Sequence, residues 1–363
     1  MNSGSTKLTF NTVLAATFCA GVSLLLGPKQ ALAAGPAASP PYTLTALTQL
    51  VPPAGATQPD DLAVSADGKD LWIGYGNGVD TTGKGAPSNL VEYDIASGAV
   101  LHNISIPGHL DGLKIEPSTG DVWATENEDG NPTLAIVNHK NGRVKLFSFA
   151  PALLTGGMDD LVFTGPNTPD EDVFIVSSSQ TSISLPVIVE LGGPLKKRNT
   201  VVTSALNGNP ATVWNVVTNA AETTDTIGDP DSMTLDPAGE LVLDNRSDDS
   251  LYIVRRKTAA NPVLRVPLTL LGSPVEVNDT IFTFSATTGA ASTAGVIYIT
   301  DTTANKIYSL TKPYFPANEI YTAANVLNDV GLVDFNTGVV TPIASGFLGV
   351  HGLAFSPTAV KVK

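Results

Sequence analysis

Short apolar runs recur along this chain, and each is introduced in the same way. A polar or acidic pair comes first, then a brief aliphatic run, a glycine turn and a second aliphatic run. Pro59-Asp60-Asp61-Leu62 leads through Gly68 to Leu71-Trp72-Ile73, and His109-Leu110-Asp111-Gly112-Leu113 leads through Gly120 to Val122-Trp123-Ala124. Asp229-Pro230-Asp231-Ser232-Met233 leads through Gly239 to Leu241-Val242-Leu243 and ends in Asp244-Asn245. From Leu62, Leu113 and Met233 an aliphatic residue lies nine positions on in all three copies. Looser copies begin at Met158-Asp159-Asp160-Leu161, Asn278-Asp279-Thr280-Ile281 and Val350-His351-Gly352-Leu353. A period of about fifty residues marks a propeller or solenoid, in which each unit buries its faces only against its neighbours.

Within the first copy the pattern predicts strands at 62–64, 71–75, 89–95 and 100–106, with turns at Ala66-Asp67-Gly68-Lys69 and Ala96-Ser97-Gly98. Four antiparallel strands joined by tight turns make one propeller blade. The third copy continues at 173–177, 187–191 and 200–204, and the fourth at 251–255 and 263–268. The fifth reads as 280–284, 296–300 and 306–310, followed by a hairpin over 330–343 that turns at Asn336-Thr337-Gly338. The sixth has only 353–355 and 359–363, so it must borrow residues 42–50, which alternate as a strand does. The expected fold is all-β: a six-bladed β-propeller of four-stranded antiparallel blades, its ring closed by N- and C-terminal strands that leave no open sheet edge. Trp72 and Trp123 share one repeat position and are expected between blades. Residues 207–227 interrupt the period as a surface loop or short helix. Residues 76–88, with four glycines, read as a mobile loop.

The ends change the picture. Lys7, an apolar stretch over 13–26 and Ala31-Leu32-Ala33 form a secretory signal peptide over 1–33, too short for a membrane anchor. The expected organisation is signal peptide 1–33, flexible lead-in 34–41 and one propeller domain over 42–363, in a secreted or periplasmic protein. Cys19, the one cysteine, falls in the leader, where Phe18 before it argues against lipidation. The exported chain then has neither disulfide nor thiol chemistry. Lys7 and Lys29 leave with the leader, so 34 acidic residues face 18 basic ones. That balance excludes nucleic acid and anionic membrane surfaces as partners and favours cations. Nothing after the leader is apolar and long enough to span a bilayer, and a monomer is expected.

Two sets of residues carry a family resemblance. Asp244-Asn245-Arg246 through Leu251, and Asp301 through Tyr308, resemble the Asp-x-x-x-Asn-x-Ile loop of NHL-type propellers. Pro230-Asp231-Ser232-Met233-Thr234-Leu235-Asp236 is similar to the Pro-Asp-Gly-Met-x-x-Asp segment of the gluconolactonase and senescence-marker-protein family. The resemblance implies that Asp231 is a ligand of a divalent cation at the mouth of a six-bladed propeller. The chain departs from that family where Asp60 stands in place of a first-blade Glu, and Asp111 in place of an Asn. A more acidic site suits calcium, which takes six to eight oxygens. His351-Gly352 is similar to the catalytic Pro-His-Gly segment of virginiamycin B lyase-like propellers, with Val350 in place of the proline.

The repeat itself points to the same place. The residue two before each inner strand's first apolar position should lie at the channel mouth. Those residues are Asp60, Asp111, Asp159, Asp231, Asp279 and His351. Carboxylates gathered around one mouth repel unless a cation neutralises them; the alternative is that each caps its own turn. Asp231, Asp111, Asp60 and Asp159 are thus the candidate metal ligands, with Ca2+ the expected ion. His351 and His109 are the candidate acid and base. No nucleophile elbow, zinc-protease helix, phosphate loop or dinucleotide fingerprint is present. The function expected is cation and small-polar-ligand binding, with hydrolysis of a lactone or ester as its enzymatic form. The alternative is a non-catalytic binding or scaffold propeller that engages an envelope or extracellular protein.

Overall fold

Runs of Val, Ile, Thr and Leu cut by Gly and Asp turns favour pleated strands, and the described residues form six β-sheets with one short 3-10 turn at Arg246–Asp248. The computed structural model describes residues 35–148, 157–164, 173–176, 186–192, 201–207, 212–223, 227–255, 263–283 and 292–357. The signal peptide expected at 1–33 and the strand expected at 359–363 lie outside the described residues. Among those described, no helix is long and apolar enough to cross a membrane.

Blade 1 comprises Pro59–Val64, Asp70–Tyr75, Ser88–Asp94 and Val100–Ile106, and blade 2 Leu110–Ile115, Val122–Glu126, Thr133–Val137 and Val144–Ser148. Blade 3 comprises Leu161–Phe163, Val173–Val176, Pro186–Gly192 and Val201–Asn207, and blade 4 Pro230–Leu235, Leu241–Asn245, Ser250–Val254 and Val263–Pro267. The first strand of each blade is its inner strand. Inner strands touch in ring order, with blade 6 against blade 1, around one central channel.

Blades 5 and 6 are interleaved. The inner strand of blade 5, Val277–Phe282, is followed by Ser292–Asp301 and Lys306–Pro316, which belong to blade 6. The chain then returns to complete blade 5 with Ile320–Ala324, Asp329–Val333 and Val339–Ser345. Val350–Pro357 is the inner strand of blade 6 and pairs with Ser292–Asp301. This corrects the expectation that 296–300 and 306–310 sit in the fifth blade and that the sixth is cut short. The closure itself is as expected: Thr43–Ala46 pairs with Lys306–Pro316 in the same sheet as Val350–Pro357. A second correction concerns 207–227. Thr212–Asn215 and Ala220–Thr223 form a β-hairpin, neither loop nor helix, laid parallel on the outer strand of blade 4.

The second strands, such as Asp70–Tyr75, Val122–Glu126 and Leu241–Asn245, bury both faces, one against each neighbouring blade, because successive side chains point to opposite sides, while outer strands such as Val100–Ile106 and Val144–Ser148 are largely exposed. Six apolar clusters result, one per blade interface. Leu71, Ile73 and Tyr75 pack toward blade 6, while Trp72 between them packs toward blade 2. Leu241 and Leu243 face blade 3, while Val242 faces blade 5. Trp72 and Trp123 both lie between blades, 1% and 8% exposed, the latter edge-on to Phe163 at 5.1 Å. Burial of each such side chain contributes on the order of 1.5–3 kcal/mol. The result is a rigid ring whose loops and inner-strand ends can carry chemistry.

Candidate metal and ligand site at the channel mouth

Every inner strand with a described partner here enters the channel through a bulge. Pro59 pairs with Tyr75 and Leu62 with Ile73, so Asp60 and Asp61 together oppose Gly74 alone. The same two-against-one count holds at Asp111-Gly112, Asp231-Ser232 and His351-Gly352. A bulge breaks the alternation of the strand, and both residues of each pair line the channel end. In blade 5 the register places Asn278 at the first position and Asp279 at the second. This corrects the sequence alignment, which took Ile281 as the first apolar residue. Thr280 holds that place, its hydroxyl 3.0 Å from that of Thr322 in a buried contact.

Two stacked rings follow. The upper ring is Asp60, Asp111, Asp159, Asp231, Asn278 and His351, and the lower ring is Asp61, Gly112, Asp160, Ser232, Asp279 and Gly352. Above them opens a cup of about 320 Å³ whose walls include His109, Glu128 and Arg246. The loop expected to be mobile forms one wall through Gly76, Gly78 and Val79. It is pinned by the Asn77 amide, which donates to the Pro87 carbonyl at 2.9 Å and to Asn89 Oδ1 at 2.7 Å.

The upper ring is electrostatically uneven. His351 Nδ1 lies 2.5 Å from Asp60 Oδ1. Burial alone would lower His351, but the charge and hydrogen bond of Asp60 carry it up to about 9. Burial works against the Asp60 charge, and His351 outweighs it, so Asp60 stays below its usual range. Asp111 is driven well above the carboxylate range by burial first and then by the charges of Glu128, Asp159, Asp60 and Asp231. Asp231 is raised by burial, with Arg246 Nη1 3.8 Å away as a partial offset. The second oxygens of Asp111 and Asp231 are buried without a hydrogen-bond partner. Two groups of ligand atoms lie within 4.8 Å of one another: Asp60, His109 and Asp111, and Asp111, Glu128 and Asp159. The structure thus brings together Asp60, Asp111, Asp159, His109 and His351. It sets Asp231 beside Arg246, outside both groups. Glu128 was missed in the sequence because it lies two residues past the end of a second strand, away from the repeated motif.

In the metal-free protein the His351–Asp60 pair makes a pH prediction. An imidazole raised from 6.5 contributes stability that is fully present below 6.5 and lost as pH rises toward about 9. The melting temperature of the wild type should therefore fall more between pH 6.5 and 9 than that of His351→Gln. Parallel curves for the two proteins would contradict the pair.

The lower ring alternates Asp with a small residue, and each Asp stitches its blade to the next. Asp61 Oδ2 accepts the Leu113 N–H at 2.6 Å, Asp160 Oδ2 that of Met233 at 2.9 Å, and Asp279 Oδ2 that of Leu353 at 2.5 Å. Small residues fill the other three places because the strands crowd there. A Cβ on Gly112 would stand 2.4 Å from Asp160 Cα, and one on Gly352 2.5 Å from the Asp60 carbonyl oxygen. Lys114 Nζ reaches under the ring to both oxygens of Asp160 at 2.9 Å and to Asp61 at 3.2 Å. Burial would lower Lys114, but these carboxylates hold it protonated. The mouth therefore has a charged, hydrogen-bonded floor.

No protein-family model matches the chain, and no curated protein matches it. Solved structures do. A nidogen/laminin complex contains a chain similar at TM-score 0.50 and 11% identity, covering 83% of this chain and 85% of that one. A putative gluconolactonase is similar at TM-score 0.46 and 9% identity, over 86% of this chain and 83% of that one. A catalytically inactive virginiamycin B lyase from Staphylococcus aureus with quinupristin is similar at TM-score 0.45 and 12% identity, over 87% and 96%. At these identities the likeness is one of fold.

Proposed function

We propose that the cup binds a divalent cation, calcium by the nature of its donors, together with a small polar molecule bearing a lactone or ester carbonyl that it hydrolyses. The observation that carries this reading is the group formed by Asp111, Glu128 and Asp159, with the buried Oδ2 of Asp111 lacking a hydrogen-bond partner. Such a set of hard oxygens suits calcium, whose remaining places water or ligand would fill. When bound, the ion supplies positive charge that polarises a carbonyl.

The chain's own residues supply the rest. His109 Nδ1 lies 3.1 Å from the Val79 carbonyl, a bond that requires the proton on Nδ1 and turns Nε2 toward Asp60 and Glu128. That nitrogen is placed to take a proton from water. His351, held protonated by Asp60, can donate to the departing oxygen. Arg246, fixed by Glu276 at 2.8 Å, offers a charge to an anionic part of the ligand. The leader-like residues 1–33 support action outside the cytoplasm.

The test is calcium titration followed by a panel of lactones and esters. Calcium should raise the melting temperature, since an ion bound only by the native state stabilises it. Turnover should require calcium and fall about 100-fold or more in His109→Gln. Asp111→Asn should lose calcium affinity about tenfold or more, near 1.4 kcal/mol. Asp236→Asn, at a turn where Asp236 only caps Ala238 and Glu240, should keep it. Calcium binding with no turnover on any ester or lactone would leave the non-catalytic binding reading.

A further inference from the structure

Five of the six upper-ring positions carry a titratable group; the sixth, Asn278 on blade 5, carries an amide. Asn278 is 7% exposed, and the residues above it decide which end of its amide faces the mouth. Glu276 Oε1 accepts from Arg246 Nε at 2.9 Å and Nη2 at 2.8 Å, and also from Asn325 Nδ2 at 2.8 Å. A carboxylate paired with a guanidinium only accepts, so Asn325 must turn its nitrogen to it. The second hydrogen of that nitrogen goes to Asn278 Oδ1 at 2.5 Å. The reverse orientation of Asn278 would set one NH2 group against another. The Asn325 backbone N–H, bonded to the Glu276 carbonyl at 3.1 Å, fixes the loop that carries it. With Oδ1 committed, Asn278 has Nδ2 left for the mouth, and among the described residues Nδ2 has no acceptor.

The place of this donor in the ring gives it a use. The cation group of Asp111, Glu128 and Asp159 belongs to blades 2 and 3, across the channel. Asn278 stands next to His351 of blade 6, and the two inner strands are joined by the Leu353 N–H on Asp279 Oδ2 at 2.5 Å. We propose, on the hydrolytic reading above, that Asn278 is a catalytic hydrogen-bond donor to the departing oxygen, positioned by Asn325 and Glu276, and that it does not ligate the cation.

In that reaction water adds to the acyl carbon and gives a proton to His109. The bond from that carbon to the departing oxygen breaks, the oxygen keeps the electron pair, and His351 supplies its proton. Negative charge grows on the oxygen as the bond stretches, and a preoriented N–H stabilises it there more than in the ground state. Asn278 keeps its own hydrogens throughout. An alkoxide, which bears its charge on one atom, needs this donor; a nitrophenoxide, which spreads the charge into its ring, does not.

The test compares ethyl acetate with 4-nitrophenyl acetate, which share an acyl group and differ in leaving group, at saturating calcium. Asn278→Ala should lower kcat on ethyl acetate about 100-fold with KM nearly unchanged, and on 4-nitrophenyl acetate by less than about threefold. Asn325→Leu, on a half-buried loop, lets the amide turn and should show the same selective loss at about tenfold. Calcium affinity by calorimetry should match the wild type in both variants. No turnover of either ester by the wild type would remove the hydrolytic reading and the role of Asn278 with it. Equal losses on the two esters, or a wild-type rate in Asn278→Ala, would overturn the donor role alone. A wild-type rate in Asn325→Leu would overturn the positioning, and a loss of calcium affinity of about tenfold in Asn278→Ala would make Asn278 a cation ligand instead.

Discussion

Lys114→Met should destabilise the protein by about 3–5 kcal/mol, because removing one partner of a buried ion pair leaves the other charges uncompensated. Here the remaining charges are Asp61 and Asp160, 9% and 2% exposed, with Asp279 close by. Methionine matches the stem of lysine, so packing changes little and the loss reports the charge. The sign with pH follows from the same groups. Asp61 is raised to about 7, by burial first, even with Lys114 present. A carboxylate raised in the native state holds its proton more tightly there than in the unfolded chain, so stability rises as pH falls. Without Lys114 this effect grows, and the deficit of Lys114→Met should be larger at pH 8 than at pH 5. Urea unfolding of both proteins at the two pH values checks it. A deficit below about 1 kcal/mol at pH 8, the level of an exposed pair, would mean that the floor does not depend on its cation.

Gly112→Ala should cost about 3 kcal/mol and disturb the mouth as well. The added methyl would meet backbone on two sides, Asp160 Cα at 2.4 Å and the Asp159 carbonyl oxygen at 2.5 Å. Backbone cannot swing aside as a side-chain tip can, and forced overpacking of this kind lies at the upper end of the usual 1–3 kcal/mol. The Gly112 N–H also donates to that Asp159 carbonyl at 2.6 Å, so the strain falls on a residue of the cation group. Calcium affinity should drop with stability. Gly76→Ala is the comparison: its Cβ would meet the edge of His109 at 3.4 Å and the Gln58 carbonyl oxygen at 3.9 Å, both ordinary contacts, and stability should stay within about 0.5 kcal/mol. Equal stability of the two variants, measured by thermal and urea unfolding, would contradict the crowding of the inner strands at Gly112.

Much of this architecture was legible in the sequence because the repeat is physical. A Pro-Asp-Asp-Leu or Leu-Asp-Gly-Leu segment is a bulge with two channel-lining positions, and a bulge needs the same local chemistry wherever it occurs. The same reading fixed the blade count, the closure by residues near the N-terminus and the place of both tryptophans. Three features escaped it. Thr280 replaces an aliphatic residue by pairing its hydroxyl with Thr322, which shifted the alignment of blade 5 by one position. The Ser292–Asp301 and Lys306–Pro316 hairpin joins blade 6 although the chain has not finished blade 5, and local pattern cannot say which neighbour a hairpin pairs with. Lys114 and Glu128 stand outside the repeated positions, and only the closed ring brings them to the carboxylates they face.

Within the candidate site the motif positions carried Asp60, Asp111, Asp159 and Asp231 to one mouth, but not their division of labour. Asp60 is occupied by His351, from the far end of the chain, and Asp231 lies beside Arg246, just past the neighbouring strand of its own blade. That leaves Asp111, with Glu128 and Asp159, as the group proposed to hold the cation. Anomalous difference density from crystals grown with Mn2+ or Ca2+ tests this most directly. One strong peak is expected among the carboxylates of Asp111, Glu128 and Asp159, absent in Asp111→Asn. A mouth without a peak at saturating ion, or a peak centred on Asp231 and Arg246 instead, would contradict it.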